Sequence, residues 1–522
     1  MARKIVFSLI VAGFVSALYG QTTFSVVVTD SKGNRVRSLH REDFQIAKNE
    51  ITAFADASTT AAIPRRIVVL FDITTIELPA RAMIVESLRD FFAKTLRPGD
   101  RVLILTAGQS LTPLSSWTAE KKDIDAALDR ASTGASQTMA GDRAQAERRL
   151  RELINDIQQA SGSQASFFSF DTLTTAVRNY AAAVYRDTRQ SISLMATATD
   201  LFPSRSTRNV LIIAGAGLPV RAGADMFQYL DTIKAQAEQG MLGATLRQGA
   251  ARSSPLSDSS AFDLSENLRG FAAEAWNKGV AIYAIDSEMG DSASTMVESQ
   301  RTIDRAAAFT TTANRSAGYQ MIADGTGGLA ILARRPSEAL EQIRSDLDAF
   351  YTIGINPPAA PATQNSVQLQ SKGYKVRMTP GGTQPTPDIE ISSHVVAHHL
   401  LKPETNDLGI TLQAAEPVAD GQKRRVALKV MIPIKNMKFV QEGNEVTGGF
   451  SVYIATGDQL GHASNVNKQS KQLRWPAGAL QALGDRQLTF AVEVVLEPGR
   501  NQISVGVVDD QSKTTGYDRV SI

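Results

Sequence analysis

The chain has 522 residues, 43% hydrophobic and 21% charged, which excludes a single core and excludes disorder throughout. Its 55 basic and 53 acidic residues nearly cancel, so charge points to neither nucleic acid nor an acidic membrane surface. It has no cysteine, which excludes disulfides and a thiol-linked lipid anchor.

Residues 1–20 read as a signal peptide. Arg3 and Lys4 precede an almost wholly apolar stretch from Ile5 to Tyr19, and Ala17 and Gly20 suit a cut before Gln21. The stretch is short for a bilayer span, which needs about 20 apolar residues. Cleavage removes two cations and no acid, leaving a formally neutral mature chain with no integral membrane span. The expected location is the periplasm or the exterior of a bacterial cell.

Residues 21–60 read as a small β-module. Thr22 to Asp30 is rich in β-branched residues, and Ser31-Lys32-Gly33-Asn34 turns the chain back. Residues 61–357 read as an α/β domain. It opens on Ile67-Val68-Val69-Leu70-Phe71, a strand covered on both faces and ending in Asp72. Ile84, Leu88 and Leu96 recur at helical spacing before Pro98-Gly99. Val102 to Thr106, Val210 to Ala214, Val280 to Asp286 and Gly327 to Leu332 are the later strands. Leu150, Leu153 and Ile157, then Leu173, Val177 and Val184, mark a helical insertion at about 133–200. Met241 to Asp263, rich in Ser, Gly and Ala, reads as a loop.

Alternating strands and helices predict a doubly wound, mostly parallel sheet of Rossmann-like type. Residues 358–387 read as a Pro/Gly-rich linker around a β-pair, with Phe350 to Asn356 and Tyr374 to Met378 as the paired segments. From Ile389 onward the period becomes two, as in Val426, Leu428, Val430 and Ile432, so residues 388–522 predict an immunoglobulin-like β-sandwich.

Several candidate sites compete with plainer readings. Asp72 lies at the carboxyl end of its strand, where open α/β sheets bind ligands, and Thr74 adds a hydroxyl. Asp286 holds the same position on a later strand. A pair of carboxylates there would suit a hydrolase, but no Ser, His or Cys nucleophile arrangement accompanies them. His394 and His398, with His399 beside them, have the spacing of a zinc pair on a helix but lack the Glu of a metalloprotease motif, so they read as polar residues at the edge of the sandwich. Gly325-Thr326-Gly327-Gly328 is not followed by Lys-Ser or Lys-Thr and reads as a tight turn, not a phosphate cradle. Gly162-Ser163 forms no nucleophile elbow. Aromatic residues do not interleave with basic patches, which argues against nucleic acid.

Several segments in order resemble the von Willebrand factor A-related proteins of the acidobacterial type. They are Val27 to Gly33 with Arg41-Glu42-Asp43-Phe44, then Leu70-Phe71-Asp72, Leu96 to Val102, Gly279 to Tyr283, Thr326-Gly327-Gly328 and Tyr351 to Pro357. The resemblance implies a divalent cation, normally Mg²⁺, above the sheet, held by an Asp-x-Ser-x-Ser motif, a Thr and a later Asp. Here the motif runs Asp72-Ile73-Thr74-Thr75-Ile76, so Asp72 and Thr74 are weak metal candidates and Ile76 offers no oxygen. The later acidic position falls near Ala216, and Glu77 is the one nearby carboxylate that a turned loop would bring in. The expectation is a degenerate metal-ion-dependent adhesion site in an exported protein that is not an enzyme and carries no cofactor. Its partner is an unidentified protein, met by loops at the sheet edge, by the insertion and by the loop after Met241. The rival readings are a cation-dependent adhesin that keeps Mg²⁺ at Asp72 and Thr74, and a hydrolase.

Overall fold

The structure is a computed structural model. It describes residues 22–46, 49–56, 63–76, 78–133, 150, 152–153, 170–203, 207–239, 254–286, 302–332, 335–348, 350–355, 367–369, 373–380, 386–458, 461–479, 483 and 486–522. The signal peptide, Glu77, Gly162-Ser163, residues 134–149, 151 and 154–169 of the predicted insertion, and the stretch 240–253 lie outside the described residues. The chain divides into two compact units: Met1–Gly108 with Trp117–Ala196 and Arg208–Gly382, and Gln109–Ser116 with Thr197–Thr207 and Thr383–Ile522.

The first unit is built on a parallel sheet. Its strands lie side by side in the order Arg101–Ala107, Arg65–Asp72, Arg208–Gly215, Val280–Asp286 and Ala330–Leu332. Ile67 through Phe71 are fully buried, as are Val210 through Ala214. Strands buried on both faces need helices on both, and crossover helices supply them. Leu78–Thr95 packs between Lys121–Thr133 and Pro336–Asp348. Thr302–Thr326 packs between Ser265–Asn277 and Ala224–Glu238.

The opening β-segment is part of a larger sheet. Thr22–Thr29 pairs antiparallel with Tyr351–Ile355 on one side and with Lys375–Pro380 on the other. The two segments read from sequence as a pair with each other are therefore separated by this strand. Ile51–Asp56 completes the sheet beyond Tyr351–Ile355. Phe24, Val26, Val28, Tyr351, Ile353 and Met378 form its core. Gly327 and Gly328 let this sheet approach the parallel one. A Cβ on Gly327 would lie 1.8 Å from the Met378 carbonyl, and one on Gly328 would lie 1.8 Å from that of Ile282. The Gly-Thr-Gly-Gly stretch is thus a close-packing turn.

Below the amino ends of the parallel strands sits a buried charge cluster. Asp100 accepts the Arg65 amide at 2.9 Å and its Nε at 3.0 Å. Arg65 and Arg97 both reach Asp348, at 3.2 and 2.8 Å. Nearby, Asp346 accepts from Arg377 at 2.6 Å and Tyr283 at 3.3 Å and pairs with Arg35. Burial pushes the Arg35 and Arg208 guanidinium groups down to about 10, the neighbouring Arg377 adding to the first.

The second unit holds two antiparallel sheets over one core. Lys423–Pro433 pairs with Gln487–Leu496, Thr411–Ala414 and Val418–Asp420. Glu445–Gly457 pairs with Asn467–Pro476, Gln502–Asp509 and Val440–Glu442, and Thr515–Ser521 flanks Gln502–Asp509. Val426, Leu428, Val430 and Ile432 point inward with Phe450, Val452, Ile503 and Val505. The period-two pattern places these residues because alternate side chains of a strand face opposite sides.

The stretch from Ile389 departs from that pattern. Pro387–Ala397 is a helix with proline in its first turn. Its buried Ile391 and Val395 stand one turn apart, the spacing that seats a helix on a surface. His394, on this helix, stacks on Tyr517 with ring centroids 5.3 Å apart, and His398 meets the same ring edge-on at 5.0 Å. His398 and His399 are buried, not edge residues. Burial, with His394 and Arg519 adding to it, pushes the His398 ring down to about 3 from its usual 6.5.

This has a pH consequence. Between pH 6.5 and about 3 the unfolded chain holds a proton at His398 that the folded chain does not. Stability is therefore lost as pH falls through that window, by up to about 1.4 kcal/mol per unit. His398→Phe is expected to flatten this slope in denaturant melts run at pH 7 and pH 5. An unchanged slope would place the acid sensitivity elsewhere.

Candidate functional site

The parallel sheet reverses its winding at Arg65–Asp72. The chain first moves outward to Arg101–Ala107, then crosses back to Arg208–Gly215 on the other side. Such a switch point opens a crevice at the carboxyl ends of the two central strands, where ligands of open α/β sheets bind. Its walls are the turn after Asp72 and the loop Gly215-Ala216-Gly217. The sequence placed Asp72 here, and the structure puts it at the crevice floor with no exposed surface.

The turn after Asp72 is closed by its own backbone. The Thr75 and Ile76 amides donate to the Asp72 carbonyl at 3.2 and 3.1 Å. Thr74 donates its amide at 3.1 Å and its hydroxyl at 2.5 Å to Oδ1 of Asp72. This is the local pattern by which an Asp side chain organises a turn. Ile76 is buried at 3% exposure, its side chain part of the packing. Across the crevice the Ala216 amide donates to the Thr75 hydroxyl at 3.2 Å. The two walls are thus stitched together where the resemblance led us to look for a second carboxylate.

A residue that sequence reasoning passed over lies in the crevice. Tyr319, on the helix Thr302–Thr326, is fully buried. Its hydroxyl packs so close to Gly215 that a Cβ there would lie 2.3 Å from it, and 3.1 Å from the Thr75 hydroxyl. Burial first, then the charges of Asp72 and Asp286, push the phenol well above its usual range, so it stays neutral. A hydrogen bond with the Gly217 backbone opposes the rise. Ser316, one turn earlier, donates to Asp286 at 2.7 Å.

Two glycines seat this helix. A Cβ on Gly318 would lie 2.0 Å from the Leu218 carbonyl, and one on Gly217 would lie 2.6 Å from Arg315 Cβ. Gly217 also has φ +81°, in the left-handed region. The Leu218 and Val220 amides donate to the Arg315 and Asn314 carbonyls at 3.1 and 3.2 Å, and Asn314 grips the backbone of Arg221. The signal in sequence was the small-residue run Gly215-Ala216-Gly217 facing Gly318-Tyr319, legible only once the two stretches are known to meet.

The site gathers Asp72, Thr74, Thr75, Asp286, Ser316 and Tyr319 at one end of the sheet. His394, His398 and His399 lie in the other unit and take no part. His399 stands between the carbonyls of Val396 and Gly461, the latter at 2.5 Å. Among the described residues, no group of three or more His, Cys, Asp or Glu is placed to hold a metal ion. No helix among them is long and apolar enough to cross a membrane.

No protein-family model matches the chain, and no curated protein matches it. Solved structures share partial likeness. One is a proximal thread matrix protein from the mussel byssus, with 10% identity, 56% of this chain covered and TM-score 0.24, the match spanning only 50% of that protein. Another is the von Willebrand factor domain of a type V pilus tip protein from Porphyromonas gingivalis, with 11% identity, 55% of this chain and 96% of that one covered, and TM-score 0.25. A third is an aerotolerance-related membrane protein from Bacteroides fragilis, with 9% identity, 55% and 98% covered, and TM-score 0.23.

Proposed function

We propose that the chain is an exported, non-enzymatic protein of the von Willebrand factor A-related type that binds or scaffolds another protein, with a degenerate metal-ion-dependent adhesion site. Its second unit would be an immunoglobulin-like sandwich, and its first twenty residues a signal peptide acting at a bacterial envelope. The observation that carries the reading is the filling of the switch-point crevice by the chain's own side chains. Asp72 is committed to Thr74, Ile76 brings carbon where an oxygen would be needed, and Tyr319 takes up the space above. A hard cation needs several oxygens turned toward one point, and these residues do not fit one. Asp72 and Asp286, at 0% and 2% exposure, are likewise withdrawn from any hydrolase substrate. What is left for function is the outer surface of the loops.

Cross-linking of the full chain in the exporting cell, followed by affinity capture, tests this. The reading expects a protein cross-linked to the loops at the carboxyl edge of the sheet. Turnover of a hydrolase substrate panel, abolished by Asp286→Asn and with no cross-linked protein, would overturn it.

A further inference from the structure

Two ten-residue strands of the second unit are bonded along one side only among the described residues. Asn467–Pro476 pairs with Glu445–Gly457, and Gln487–Leu496 pairs with Lys423–Pro433. A free edge offers unpaired N–H and C=O groups to any other strand, so proteins guard it with lysine, proline or a bulge. Asn467–Pro476 is guarded: it carries Lys468, Lys471 and Arg474 and ends in Pro476. Gln487–Leu496 is not. It has no Lys, Arg, Pro or Gly, and its single charge, Glu493, already meets Arg425 at 3.3 Å. All of it pairs with Lys423–Pro433 without a register shift, so no bulge turns the edge away. We infer that this strand pairs edge to edge with its own counterpart in a second copy of the chain, joining two sheets into one.

The strand itself indicates the occupant. Its inward row is Leu488, Phe490, Val492, Val494 and Leu496, of which Leu488 and Val492 stay only partly buried. Apolar surface is therefore left open at the edge. A two-fold axis through Val492 lays the strand antiparallel to itself. Leu488 then faces the partner's Leu496, Phe490 the partner's Val494, and Val492 its own counterpart. These are the apolar and aromatic–β-branched pairs that stabilise sheets. On the outer face Thr489 meets the partner's Val495 and Ala491 the partner's Glu493, so no like charges oppose each other. Val495, 51% exposed, gains cover by this pairing. A charged foreign segment would find no unpaired counter-charge on this edge, whereas a second copy finds a complete apolar row.

Analytical ultracentrifugation of the full chain over a range of concentrations tests this. The expected result is a mass that rises from one chain to two. Val492→Lys and Val492→Glu are each expected to stay monomeric, and their equimolar mixture to recover the dimer, since the axis then sets Lys against Glu. Circular dichroism checks that both fold. A second test leaves the inner face untouched. The chain has no cysteine, so Thr489→Cys with Val495→Cys supplies the only thiols. These lie about 20 Å apart along one strand, too far to bridge within a chain. Mild oxidation is expected to link two chains of the double variant and none of Thr489→Cys alone. Should the Val492 variants not fold, the cysteine pair decides. A wild-type chain that stays monomeric would overturn the pairing and leave the proposed function standing. So would a dimer in which folded Val492→Lys still pairs or the cysteine pair fails to link.

Discussion

Asp100→Ala is expected to lower the free energy of unfolding by about 3–5 kcal/mol, the range for removing one partner of a buried ion pair. Arg65 and Asp100 have side chains only 3% and 2% exposed. Asp100 gathers the amides of Arg65 and Arg97, each at 2.9 Å, together with the Arg65 guanidinium. It thereby ties the start of the central strand to the Pro98-Gly99 turn that leads into the next one. Alanine leaves the guanidinium buried with Asp348 as its remaining carboxylate, at 3.2 Å. Denaturant unfolding followed by tryptophan fluorescence measures the loss. The double replacement Arg65→Met with Asp100→Leu is expected to recover much of it, because no buried charge is then stranded. A loss under 1 kcal/mol for Asp100→Ala would mean that water reaches the cluster in the folded chain.

Gly318→Ala is expected to cost about 3 kcal/mol, at the upper end for overpacking, because the atom it meets is backbone. The new methyl would lie 2.0 Å from the Leu218 carbonyl, so helix and loop must part. Their separation breaks the bonds from the Leu218 and Val220 amides to Arg315 and Asn314 and moves Tyr319 away from Gly215. Hydrogen exchange at those two amides is expected to quicken along with the loss of stability. Gly270→Ala is the control. It sits on the helix Ser265–Asn277 with nothing within 4 Å of its added carbon, so helix propensity alone predicts a gain of up to about 1 kcal/mol. Equal effects at the two positions would refute the close packing of the Tyr319 helix.

Strand content was legible wherever burial writes itself into one stretch of chain. Ile67 to Phe71 shows its two covered faces as an unbroken apolar run, and Val426 to Ile432 shows its single covered face as alternation. Partnership between distant stretches was not legible. Thr22–Thr29 finds its neighbours more than three hundred residues later, and nothing local in Tyr351–Ile355 or Lys375–Pro380 tells that the first strand lies between them. At Pro387–Ala397, Ile389 and Ile391 mimic alternation, while the proline and the pair Ile391 and Val395 decide for helix.

The candidate site was half legible. Asp72 announced itself by its place at a strand end. The reading of Ala216 as a missing carboxylate was silent on Gly215 and Gly217, whose lack of side chains admits Tyr319 and Arg315. A tyrosine in a helix of mixed polarity carries no mark of its target. The same holds for Asp100, whose motif Arg97-Pro98-Gly99-Asp100 reads as a turn and acts as the anchor of a buried arginine.

The central claim is that the crevice beside Asp72 is filled by the chain itself and holds no resident cation. Calorimetric titration of the unmodified chain with Mg²⁺, Mn²⁺ and Ca²⁺ tests it most directly. No saturable heat is expected up to about 10 mM of each ion, well above the weakest dedicated sites. Saturable binding at or below about 1 mM, abolished by Asp72→Ala, would contradict it.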